Sequence, residues 1–155
     1  MKTRHRTALF ALAATSLALA AGTACAQPAP ADPAHLSLSF VKFNVSNQPV
    51  MQAFYEKAFG MQQQKRIDLP GFTEVILTDP KGLDLALVFY KDKRVITLGN
   101  ANGPIGFYLQ DVDAVYKSAL AAGGVSRSAP STAGNARVAV VVDPEGHEIE
   151  LLHLN

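Results

Sequence analysis

A single cysteine, Cys25, is all the thiol chemistry this 155-residue chain holds, and only 17% of its residues are charged. One cysteine forms no internal disulfide and builds no Cys-rich zinc module. The 14 Lys+Arg nearly cancel the 13 Asp+Glu, so no positive field marks a nucleic-acid surface. No Ser/His/Asp order, glycine-rich phosphate loop or basic-aromatic patch occurs either, which removes the corresponding catalytic, nucleotide and RNA-binding readings. What the chain does have is apolar residues, 48% of the total. That is too many for a disordered polypeptide, and the length suits one domain, or one domain built from two halves.

Part of the apolar content belongs to the N-terminus. Lys2, Arg4 and Arg6 precede an apolar run from Ala8 to Ala21, and Ala24-Cys25-Ala26 supplies a small-x-small cleavage site. Residues 1–26 therefore read as an export signal cut after Ala26, which places the product in the periplasm or outside the cell. The run is too short and Ala-rich to favour a permanent membrane span. Two alternatives stay open: an uncleaved anchor, and a lipid on Cys25, although Gly22-Thr23-Ala24 lacks the bulky aliphatic residue usual in lipoprotein signals. The remaining 129 residues carry no cysteine and keep 11 basic against 13 acidic residues, a formal charge of −2. That length still buries a core without staples. Residues 27–36 begin with a Pro/Ala-rich stretch and read as a flexible leader.

The rest repeats with a constant offset of 64 positions. Asp79-Pro80-Lys81-Gly82 recurs as Asp143-Pro144-Glu145-Gly146, each fitting a type I turn with Asp first, Pro second and Gly fourth. At the same offset Phe43-Asn44-Val45 meets Phe107-Tyr108-Leu109, Phe59-Gly60-Met61 meets Gly123-Gly124-Val125, and Leu85-Ala86-Leu87 meets Ile149-Glu150-Leu151, without a gap.

Each half parses alike. A β-prone stretch near Ser39–Val45 leads to Asn47, an N-cap followed by Pro49, and then to a helical stripe of Val50, Met51, Phe54, Tyr55, Ala58 and Phe59 ended by Gly60. Strands are expected near Gln63–Asp68, Thr73–Thr78 and Leu83–Tyr90. In the second half Ile105–Gln110 is a strand and Asp111 caps a helix to about Ala122. Strands follow near Val138–Val142 and His147–His153. Lys91–Gly103 is the connector. The unit is βαβββ, twice, within modules at about 37–98 and 103–155 of one domain, 37–155.

Odd positions on these strands (Val41, Phe43, Val45, Leu85, Leu87, Phe89, Ile105, Phe107, Leu109, Ile149 and Leu151) are all apolar, as a sheet face packed under helices must be. The even face is mixed, with room from small residues, aromatics for stacking and some polar groups, which suits a small-molecule cleft.

The helical Phe54-Tyr55-Glu56-Lys57-Ala58-Phe59-Gly60-Met61 and the closing Asp143-Pro144-Glu145-Gly146-His147-Glu148-Ile149-Glu150-Leu151 resemble the vicinal oxygen chelate superfamily: glyoxalases, bleomycin-resistance proteins and extradiol dioxygenases. The resemblance covers essentially all of residues 37–155. It implies an α+β fold, with two tandem βαβββ modules forming an open, curved mixed sheet around a cleft, often completed by pairing two copies as a homodimer. It also implies four metal-ligand positions, early on the first strand and on the last strand of each module. They fall on Phe40, Ala86, Pro104 and Glu150. One carboxylate among four does not hold a divalent ion, which wants about three or more N, O or S ligands, so no metal and no other cofactor is expected. His147 and His153, on the strand face opposite Glu148 and Glu150, and His35 in the leader read as surface or strand-edge residues.

The expected ligand-binding set is Phe40, Lys42, Asn44, Ala86, Val88, Tyr90, Tyr108 and Glu150. Lys42 would attract an anionic or carbonyl group, Tyr108 and Asn44 would hydrogen-bond it, and Glu150 with Lys42 are the acid/base candidates if catalysis occurs. The bland counterpart is an ion pair between Lys42 and Glu150, with the tyrosines capping the sheet. Three classes remain. The first is an exported, metal-free small-molecule binder. The second is a glyoxalase-like lyase or isomerase, metal-dependent only if the ligands lie elsewhere. The third is a structural or interaction module with a vestigial cleft. No nucleic acid is expected as a partner, nor a membrane after signal cleavage.

Overall fold

The computed structural model describes residues 39–99 and 103–155. The expected export signal and leader, and residues 100–102 of the connector, lie outside the described residues. Helix α1 (Gln48–Phe59) starts where the Asn47 side chain accepts the Val50 amide and Pro49 occupies the first turn, and it stops at Gly60, whose φ of 67° is left-handed. It buries Met51, Phe54, Tyr55 and Ala58. Helix α2 (Val112–Ala121) starts on the Asp111 carboxylate, which accepts the Ala114 amide at 2.9 Å, and Gly123 follows with φ 105°.

The strands are β1 (Phe40–Val45), β2 (Gln62–Asp68), β3 (Phe72–Thr78), β4 (Asp84–Tyr90), β5 (Ile105–Tyr108), β6 (Val125–Ala133), β7 (Ala136–Val142) and β8 (Glu148–Leu154). The mixed sheet is two four-stranded sheets, one per module, in the orders β1-β4-β3-β2 and β5-β8-β7-β6. In each, the first strand runs parallel to the fourth and the other pairings are antiparallel. The offset of 64 holds to the residue where the first strand meets the fourth: Val41 faces Leu85 as Ile105 faces Ile149. The outer strand β6, with its Ser-Arg-Ser-Ala-Pro-Ser sequence, carries no alternation and pairs with β7 through two register shifts. That irregularity hides it from a reading by periodicity.

Odd positions go inward as the alternation requires. Val45, Val75, Leu77, Leu87, Val141, Ile149 and Leu151 are at most 1% exposed. The core continues across the module boundary. Phe59 stacks on Phe107 with ring centroids 4.6 Å apart, and Phe43 stacks on His147 at 4.1 Å. Within the second module Arg137 on β7 holds Asp113 of α2 at 2.7 and 2.9 Å. Those hydrogen bonds keep the Asp113 carboxyl below its ordinary range.

Gly124 marks the tightest approach. A Cβ there would lie 2.9 Å from the Phe54 ring and 3.0 and 3.1 Å from the carbonyl oxygens of Ala119 and Val142. Backbone does not yield as a side chain does, so Gly124→Ala is expected to cost about 1–3 kcal/mol. Chemical denaturation checks this through the midpoint, with the slope unchanged.

Candidate functional site

The closing turns of the two modules show how the site is built. Asp79 and Asp143 each accept the backbone N–H groups two and four residues ahead through Oδ1, at 2.8–2.9 Å. Gly82 and Gly146 complete the turns with φ of 91° and 103°. Only the second turn is engaged further. Its Asp143 is 2% exposed, and Oδ2 accepts the Tyr55 hydroxyl at 3.0 Å and His147 Nδ1 at 2.7 Å. A carboxylate only accepts, so Nδ1 carries the proton and, in the neutral ring, Nε2 is an acceptor. Every buried side-chain nitrogen or oxygen among the described residues has a partner. Nε2 has none among the described residues, so it is not sealed off from solvent, and His147 lines the adjoining cavity. His147 is thus no surface residue, contrary to the expectation. It is 8% exposed, because it precedes β8 and lies flat between Phe43 and the turn.

That cavity, of about 420 Å3, lies between β1, the connector and the start of β8, and is lined by Lys42, Asn44, Ile96, Leu98, His147 and Glu148 among others. Leu98 closes over the turn, its Cδ1 3.0 Å from where a Cβ on Gly146 would stand. In the same turn the Glu145 carboxylate accepts the Ser46 amide at 2.7 and 3.0 Å and the Asn47 amide as well. These bonds join the second module's turn to the N-terminus of α1, where an anion is favoured.

Of the expected binding residues, Lys42 and Asn44 line this cavity together. Lys42 pairs with Glu74 of β3 at 2.9 Å, and not with Glu150. In the register Lys42 faces Ala86 and Glu74 faces Val88, so the lysine crosses β4 over these two small residues. That explains why Ala86 and Val88, on the even face, are 2% and 4% exposed. Phe40 is exposed, with the Lys42 amine 5.8 Å from its ring. Tyr90 lies away from the cavity, its ring 3.9 Å from the Arg94 guanidinium. Tyr108 is 66% exposed and lines a different cavity with Phe59 and Phe107. Glu150 is half-buried on β8 between Gly106 and Val140. Glu148 instead reaches the cavity and pairs with Arg127 at 3.4 Å.

Glu74, His147 and the Ile96–Gly99 stretch were not legible as site residues. The one available signal was the spacing of His147 four residues after Asp143, which suits a carboxylate–imidazole contact across a tight turn. The metal positions implied by the resemblance hold a phenyl, a methyl, a pyrrolidine and one carboxylate. Among the described residues no three His, Cys, Asp or Glu side chains cluster to hold an ion. The donor set does not fit a metal centre at those positions.

Residues 34–151 match the family model described as the Glyoxalase/Bleomycin resistance protein/Dioxygenase superfamily. No curated protein matches the chain. Among solved structures, a glyoxalase I variant from Zea mays superposes with a TM-score of 0.69 at 25% identity, over 75% of this chain and 46% of that one. The trypanothione-dependent glyoxalase I of Leishmania major gives 0.66 at 24% identity, over 76% and 86%. A glyoxalase/bleomycin resistance protein/dioxygenase family enzyme from Burkholderia phytofirmans gives 0.60 at 22%, over 77% and 100%. The last two are likenesses of fold, and the chain spans about half the length of the maize protein.

Burial, with Asp143 beside it, holds the Tyr55 phenol well above its ordinary range near 10. The stabilisation from keeping that proton is complete below about pH 10 and is lost as pH rises through the higher folded value. Tyr55→Phe is expected to cost about 1–2 kcal/mol at neutral pH by removing one hydrogen bond to a carboxylate. It should also flatten the alkaline loss of stability, read from unfolding midpoints at pH 8 to 11.

Proposed function

As the chain belongs to the Glyoxalase/Bleomycin resistance protein/Dioxygenase superfamily, we propose that it is an exported domain binding a small molecule, without a metal, in the cavity beside His147. The observation that carries this reading is the convergence of Lys42, Asn44, His147 and Glu148 on one space of about 420 Å3, the low end of the usual range for ligand sites. Lys42 brings a positive charge, Asn44 an amide that donates and accepts, and His147 an acceptor nitrogen fixed by Asp143. Ile96 and Leu98 supply an apolar roof. The matching ligand is compact, partly apolar, and bears a carbonyl or anionic oxygen for Lys42 and a hydroxyl for Nε2.

The absence of a ligand set at Phe40, Ala86, Pro104 and Glu150 supports the metal-free part of the reading. Export is supported by the basic, apolar and small-x-small order of residues 1–26, with Gln27 as the first residue of the mature chain. Pairing of two copies rests on the family's habit, and light scattering of the mature chain reads it. A proton-transfer enzyme is the second reading, favoured by the Asp143–His147 contact at 2.7 Å, which orients the imidazole as a base is oriented.

Thermal-shift measurement on the mature protein with a panel of 2-oxo and 2-hydroxy acids is expected to find stabilising members. Lys42→Ala should lower their affinity about tenfold, the value of one charge-assisted bond. A panel without effect, or shifts indifferent to Lys42→Ala, would falsify the site. Stoichiometric divalent ion in elemental analysis would overturn its metal-free character.

A further inference from the structure

The duplicated halves fill equivalent spaces differently. At the first site the turn at 143–147 meets the β1–α1 junction, and Met51, Tyr55, Glu145 and His147 fill the space between them. Sixty-four positions away their counterparts are Val115, Ala119, Lys81 and Leu83. Val115 and Ala119 are smaller than their counterparts, and Leu83 has no ring nitrogen with which to bond the turn's aspartate. Lys81 carries the opposite charge, so it cannot accept backbone amides as Glu145 does. The turn at 79–83 is consequently not drawn onto the β5–α2 junction, and a cavity of about 530 Å3 remains there.

Its lining is mostly apolar. Phe59 and Phe107 are stacked at 4.6 Å, and Leu83, Val115 and Tyr108 surround them, with Lys81 among the lining residues. Asp79 also borders it, but its Oδ1 is taken by the amides of Lys81 and Leu83. The exposed Lys81 amine has no ion-pair partner among the described residues. Aromatic rings present faces and edges to a flat apolar body, and an unpaired ammonium at the mouth selects a negative group. We propose that this cavity is a second ligand site, taking a small aromatic carboxylate with its ring against Phe59 and Phe107 and its carboxylate at Lys81. The site is separate from the cavity of Lys42 and His147 and does not depend on what that one binds.

The test uses the mature chain, calorimetry, and two probes of one shape, 2-naphthoate and the uncharged 2-naphthalenemethanol. Naphthoate is expected to bind more tightly than the alcohol. Lys81→Ala should weaken naphthoate about tenfold, as loss of one charge-assisted contact does, while leaving the alcohol within about twofold. Lys81→Glu, which returns a carboxylate to the place Glu145 holds in the other half, should abolish naphthoate binding. Lys42→Ala should leave both probes unaffected. Absence of naphthoate binding, equal binding by the parent and Lys81→Glu chains, or loss of naphthoate in Lys42→Ala overturns the proposal. The last result would move the ligand to the other cavity, leaving that site standing.

Discussion

Four donors converge on the carboxylate of Asp143: two backbone amides of its own turn, the hydroxyl of Tyr55 and the imidazole of His147. A buried carboxylate is costly without partners and among the stronger anchors with them. Here the partners come from both modules. The turn shapes the start of β8, Tyr55 fixes the face that α1 turns inward, and the ring of His147 becomes flat enough on Phe43 to wall a cavity. Fold and candidate site thus share one group, so a change at Asp143 disturbs both at once.

The repeat makes the specialisation visible. The registers of the first, third and fourth strands agree between the halves to the residue, and the Asp-Pro-x-Gly turns bond alike. The side chains that cross between modules differ in kind between the halves. Where large and polar ones remain, the halves are joined by aromatic stacking and by Glu145 on two amides. Where they have become small, or reversed in sign as at Lys81, the same geometry leaves open space. One backbone plan therefore yields a locked interface and an unlocked one.

Much of the architecture could be read from the chain beforehand, because its cues are local. Asn47 and Gly60 bound α1, Asp111 begins α2, and alternation on β1 and β8 sorts inward from outward residues. β6 escaped because its two register shifts erase the alternation. The site was legible only in part. Lys42 and Asn44 were recognised from the mixed face, but pairing of Lys42 with Glu74 depends on how far a lysine reaches across two small residues, which spacing does not encode. His147 was misplaced because a strand-parity rule was applied to a residue still inside the turn. Tyr90 and Tyr108 lie on the expected face yet outside the Lys42 cavity, since strand alternation says nothing about what a distant arginine or a missing tyrosine does to the space beside them.

The reach of the Asp143 contacts along the chain has a kinetic side. Tyr55 finds its acceptor 88 residues downstream, and the amides that open α1 find Glu145 98 and 99 residues downstream. β1 must likewise wait for β4 before it has a hydrogen-bonding neighbour. Such distant pairings raise contact order and slow folding. Until the final hairpin forms, the rings of Phe43, Phe54, Tyr55 and Phe59 lack the surface that covers them. The first half is therefore not a finished unit that the second joins, since its core is completed by side chains of the C-terminal module.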